Sequence, residues 1–440
     1  MKYENIKSII LTILVFISIF LTWNLWTYQP NFDTMENDSY VAEVSVSEKQ
    51  ELQKIVRPDR ILFHIRNDHY GTNNPDEVDN VIKEISKWSI FDLKNYTDNV
   101  ENINDLIHSP GNAELIFPGE VPIALYRGVL NIEGKKVPSF NFNRMIINVE
   151  NSSNENGIVY FVSSENQQVY ISHISPANLT AFNRDFFKNA PRLPRYFAYK
   201  PSANKTIFLP EGETEMKTYK YLPVTLNSEK FKEALFRDPS NVQKNPIRAG
   251  EEYTSDSSKM TVSDDTNILS YVNPTADDDF VDNSYDLVKR SIDLINEHGG
   301  WTDSYHYVSK NEYSATVVFR LYTGDGYPVF SERGISEITE VWGRNELTKY
   351  IRPNISLELP LTTEMKTVKR ASGHDVLNFL ENKRNFKSEL LEELVLGYRM
   401  DRDSEENQLI LLEPAWFYRY DKQWGELTMD DLGGPAHGLE

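Results

Sequence analysis

The stretch IILTILVFISIFLTWNLW, residues 9–26, decides how the rest of the chain is laid out. Fourteen of its eighteen residues are apolar or aromatic and none is charged; the exceptions are Thr12, Ser18, Thr22 and Asn24. As a helix rising 1.5 Å per residue it spans roughly 27 Å, close to the hydrocarbon core of a bilayer. Each central apolar residue favours insertion by about 0.3–0.6 kcal/mol, so the run as a whole inserts readily. A buried helix of a soluble domain would carry a polar face over this length. A cleaved signal peptide would end in small residues. This run ends instead in Trp23, Trp26 and Tyr28, whose rings suit the membrane–water interface. The expectation is an uncleaved anchor over residues 9–28.

Orientation follows from charge. Lys2 and Lys7 precede the run, whereas Asp33, Glu36, Asp38 and Glu43 follow it and no Lys or Arg occurs until Lys49. The positive-inside bias places residues 1–8 in the cytoplasm and everything after Tyr28 outside. With no second long apolar run, the chain is expected to cross the cell membrane once. About 410 of the 440 residues remain, enough for two to four domains. The 24 Tyr and 22 Phe can build real cores. The absence of cysteine suits a bacterial surface better than a disulfide-rich secretory route. A net charge of −20 repels phosphate backbones, which excludes nucleic acid as a partner.

Beyond a polar linker at 29–45 the pattern is α+β with antiparallel sheets. Three extracellular domains are expected at 46–131, 132–280 and 281–430, followed by a tail at 431–440. Strands are read at Arg60–Arg66, Phe142–Glu150, Gly157–Ser163 and Gln168–His173. Val78, Val81, Ile82 and Ile85 mark one face of a helix over 76–88. Leu287, Val288, Ile292 and Ile295 mark another over 284–298, stopped by Gly299-Gly300. The pentapeptide TEMKT occurs at 214–218 and again at 363–367. Together with the order of elements around it, this repeat points to two later domains of similar topology.

The motifs of chemistry are missing from the sequence. Eight histidines are scattered at 64, 69, 108, 173, 298, 306, 374 and 437, with no H-E-x-x-H. His298 is read as a helix C-terminal residue favoured by the dipole. No G-x-S-x-G and no phosphate-binding loop occurs. The acidic run Asp401–Asn407 lacks the central Gly of a calcium loop and reads as a solvated hairpin turn. Of the aromatics on the last strand, Trp416, Tyr418 and Tyr420 cannot share a face with Phe417; one set is expected in the core and the other at the surface. No catalytic residue, metal ligand or cofactor is assigned.

The junction LTWNLWTYQP at 21–30, after a basic start and one helix and before an acidic linker, resembles the YycH (WalH) family of Gram-positive bacteria. The resemblance implies one anchor, a three-domain extracellular part and no catalytic residues. It also implies a sister protein, YycI, and action on the sensor kinase YycG (WalK), partner of YycF (WalR), which controls cell-wall metabolism. Contacts among transmembrane helices and ectodomains would then carry the regulation. Ser18 and Thr22, four apart, form a small-residue patch where helices approach, and Asn24 adds a polar group; these three are the candidate partner contacts. An anchored cell-wall enzyme and a ligand-sensing binding module remain the alternatives.

Overall fold

Alternating apolar and polar residues dominate the chain after the linker, and they build strands. The computed structural model describes residues 17–18, 46–134, 136–150, 156–276, 283–344, 346–404, 406 and 408–427. Ten strands come first: β1 (Arg60–Ile65), β2 (Asp68–Thr72), β3 (Ser89–Asn95), β4 (Asn112–Pro122), β5 (Asn131–Ile132), β6 (Asn141–Asn148), β7 (Gly157–Ser163), β8 (Gln168–Ile174), β9 (Arg195–Ser202) and β10 (Lys205–Pro210). They form one sheet in the order β10-β9-β2-β1-β4-β6-β7-β8-β3-β5. β4 pairs with β6 across residues 131 and 132, and β9 joins through His69 opposite Tyr196. The sheet is therefore continuous through the first expected domain boundary.

The helix Pro75–Ile85 starts where expected. Asn74 accepts hydrogen bonds from the N–H groups of Asp76 and Glu77, and Pro75 sits where its missing N–H costs nothing. Val78, Val81, Ile82 and Ile85 are buried on one face.

Next come β11 (Thr214–Tyr221) and β12 (Val224–Thr225). The helix Ser228–Leu235 then leads into a meander of β13 (Gln243–Ile247), β14 (Gly250–Thr254), β15 (Lys259–Ser263) and β16 (Ile268–Val272). The helix Ser284–Glu297 leads into a second: β17 (Tyr305–Asn311), β18 (Thr316–Leu321), the short β19 (Val329–Phe330), β20 (Glu337–Trp342) and β21 (Leu347–Pro353). The two meanders join through β16 and β21, with Leu269 opposite Arg352 and Tyr271 opposite Tyr350. The sheet order β13-β14-β15-β16-β21-β20-β18-β17 runs up one meander and back down the other, the pattern of an approximate two-fold.

The chain finishes with β22 (Ile355–Ser356), β23 (Lys366–Arg370), β24 (Leu391–Arg402), β25 (Ile410–Tyr420) and β26 (Gln423–Leu427). A sheet β19-β24-β25-β11-β23 results, with β26 on β25. Both TEMKT copies meet here. β11 lies antiparallel to β23, with Lys217 opposite Thr367 and Thr218 opposite Lys366. The repeat thus marks a place where two strands join, not equivalent places in the two meanders.

Three sequence expectations change. Trp416 and Phe417 are both buried, on opposite faces of β25. Trp416 Nε1 donates to the Ala371 carbonyl at 3.0 Å, while Phe417 stacks on Phe330 at 4.1 Å, because this sheet is covered on both sides. Asp403 is not a solvated turn residue; it is buried and paired with Lys220 at 2.7 Å. His298 is no dipole-paired imidazolium. Burial, then Arg352, hold it down to about 3, so it stays neutral, 3.3 Å from Tyr350 Oη.

Candidate functional site

Of the residues singled out in the anchor, Ser18 is helical and exposed. Thr22, Trp23, Asn24, Trp26 and Tyr28 lie outside the described residues. No helix among the described residues is long and apolar enough to cross a membrane.

The folded part offers a different site. A cleft of about 520 Å³ lies between the first sheet and β24–β25. The first sheet contributes Asp59 and Arg60 at the start of β1, Arg144 of β6, and Lys205 and Thr206 of β10; the opposite wall carries Glu393 and Arg419. A smaller pocket of about 190 Å³ shares Asp59, Arg60, Glu393 and Arg419 with it.

Beneath the cleft floor lies a polar cluster. β1 and β2 form a tight hairpin, with Arg66 in the left-handed region at φ 57°, and this sets His64 opposite His69. Their Nδ1 atoms are 2.8 Å apart, and His64 Nε2 is 3.2 Å from Glu114 Oε2. One proton per ring serves both contacts: His64 Nε2–H donates to Glu114, and His64 Nδ1 accepts from His69. Arg144 Nε reaches Glu114 Oε1 at 2.8 Å, and His108 Nε2 lies 3.8 Å from Oε2. Burial opposes the Glu114 charge, but the His64 hydrogen bond, His108 and Arg144 outweigh it and hold the carboxyl down to about 2. Burial holds His108 down to about 4 despite Glu114, and burial with His64 does the same to His69.

No group of His, Asp and Glu among the described residues has the arrangement to hold a metal ion. On the far wall of the cleft Arg419 pairs with Glu392 at 2.6 Å and with Glu393 at 3.1 Å. The scattered histidines match no metal motif, so only their spacing could have marked the cluster. Five residues apart also brings two side chains together across a two-residue hairpin, which was the available signal.

The model of the N-terminal domain of the YycH protein matches residues 4–191, and that of its C-terminal domain matches 204–431, more than half of the chain. The chain belongs to the YycH family. It is 24% identical over 461 aligned positions to the "Two-component system WalR/WalK regulatory protein YycH" of Bacillus subtilis (strain 168), covering 100% of both. The crystal structure of YycH from Bacillus subtilis superimposes with a TM-score of 0.75 at 20% identity, over 87% of this chain and 99% of that one. The cleft draws on both YycH domain segments: Asp59 and Arg144 come from the first, Lys205, Glu393 and Arg419 from the second.

Proposed function

We propose that the chain is a regulatory protein of a two-component system of the WalR/WalK kind. The end-to-end match to a relative of that name carries the reading. On this reading it is a non-enzymatic protein anchored in the cell membrane by residues 9–28, with the folded part outside. It would act on a WalK-like (YycG-like) sensor histidine kinase, together with a YycI-like sister protein, and so on cell-wall metabolism. A partner changes kinase output only by binding one signalling state better than another. Ser18, Thr22 and Asn24 would supply helix–helix contacts in the membrane, each polar contact worth about 0.6–2 kcal/mol. Trp23, Trp26 and Tyr28 would set the helix depth.

Exchange of residues 9–28 for an unrelated membrane helix tests the mechanism. If the helix carries regulation, the chimera loses its effect on the kinase while the full folded part is still displayed. An unchanged effect moves the regulating surface wholly to the folded part.

A further inference from the structure

The cleft between the first sheet and β24–β25 holds polar atoms that the protein itself leaves without partners. Among the described residues, Asp59 Oδ1, Thr206 Oγ1 and His108 Nδ1 are buried with no hydrogen-bond partner, and all three residues line the cleft. The Lys205 ammonium, half-buried beside Thr206, makes no hydrogen bond or ion pair among the described residues; Glu392 and Glu393 lie in its field but are committed to Arg419. Leaving such groups desolvated without a partner costs about 1–3 kcal/mol apiece, and more for a charge. A ligand that answers them recovers that cost.

The charge pattern selects the ligand. A simple anion would suit Lys205 and Arg60 but would meet Asp59, Glu392 and Glu393 in a chain of net charge −20. A simple cation would suit Asp59 but would meet Lys205, Arg60 and Arg144. A neutral sugar would leave the Lys205 charge unanswered. We propose that the cleft binds a small zwitterion of the amino-acid or short-peptide class, with its carboxylate at Lys205 and its ammonium at Asp59. A volume of about 520 Å³ is within the usual range for small-ligand sites and holds a peptide of a few residues. The ligand would touch both walls, and so both family domain segments, at once. The proposal does not rest on the kinase reading, and its test involves no kinase.

The full chain in detergent micelles is heated with triglycine, N-acetyltriglycine or triglycine amide, and Tm is followed against peptide concentration. Triglycine should raise Tm saturably. Each capped peptide lacks one charge and should bind at least about tenfold more weakly, a change read directly in the midpoint. Lys205→Met removes a desolvated charge, so without peptide it should unfold at a Tm no lower than the parent's, and it should lose the preference for triglycine over its amide. Asp59→Asn should lose the preference over the acetylated form. Should Asp59→Asn fail to fold, the capped peptides and Lys205→Met still decide. No saturable response to triglycine up to about 10 mM, equal binding of capped peptides, or a parent-like response of Lys205→Met would each overturn the proposal.

Discussion

Glu114 keeps its charge in the interior because the His64 hydrogen bond and Arg144 answer it together. It is 1% exposed, so removing the charge while leaving Arg144 in place costs about 3–5 kcal/mol, the usual penalty for breaking a buried pair. Glu114→Gln should show that loss in urea unfolding at neutral pH. Its folded pKa is depressed, so its contribution is present above about 4.5 and is lost as the pH falls toward about 2. His69 and His108 fail earlier. Their neutral forms are favoured, and that stability is lost as the pH falls from about 6.5 to about 4.

Glu340 behaves in the opposite sense. Burial lifts it to about 8 against hydrogen bonds from Ser291 and Trp342. Its contribution is complete below about 4.5 and declines as the pH rises through about 8. Glu340→Gln should therefore flatten the fall in stability between those values, by up to about 1.4 kcal/mol per pH unit, in unfolding titrations at stepped pH. Glu340 was legible in the sequence: in Glu337–Trp342 it shares the inward positions with Ile338 and Trp342. Glu114 was not, because β4 is buried on both faces and shows no alternation.

At the scale of elements, the long helices and the β6–β7–β8 meander could be read from the sequence and the sheet joins could not. Asn283 caps Ser284–Glu297 by accepting from the N–H groups of Tyr285 and Asp286. Asn283→Ala should cost about 1 kcal/mol of stability, measured by urea unfolding. The joins depend on close approach of backbones from distant parts of the chain. Gly119 of β4 faces β17 so tightly that a Cβ would lie 2.3 Å from the Val308 carbonyl oxygen. Tyr307 Oη donates to the adjoining Glu120 carbonyl at 2.7 Å. Gly119→Ala should cost about 1–3 kcal/mol by forcing the two strands apart. Protection of the β4 and β17 amides in hydrogen exchange would fall, while that of β13–β16 would not. Nothing local in the sequence marks this glycine, because its need for space comes from β17, almost two hundred residues later.

At the scale of the molecule, the family was legible from the junction at residues 21–30. The cleft was not. Asp59, His108, Arg144, Lys205, Glu393 and Arg419 share no local spacing, and they converge only because β10 and β24–β25 close over the first sheet. The TEMKT repeat was visible in the sequence, yet its meaning is a strand pairing, which periodicity does not encode. A protein built this way, with both YycH segments contributing to one cleft, suits a regulator that reports a state by its contacts. The most direct test of that role reconstitutes a WalK-like sensor kinase in membranes with and without the full chain, and measures kinase autophosphorylation. The regulatory account predicts a change of about fivefold or more, in either direction, the lower range of a typical coupling. An unchanged rate with both proteins present in the same membranes at saturating amounts would contradict it.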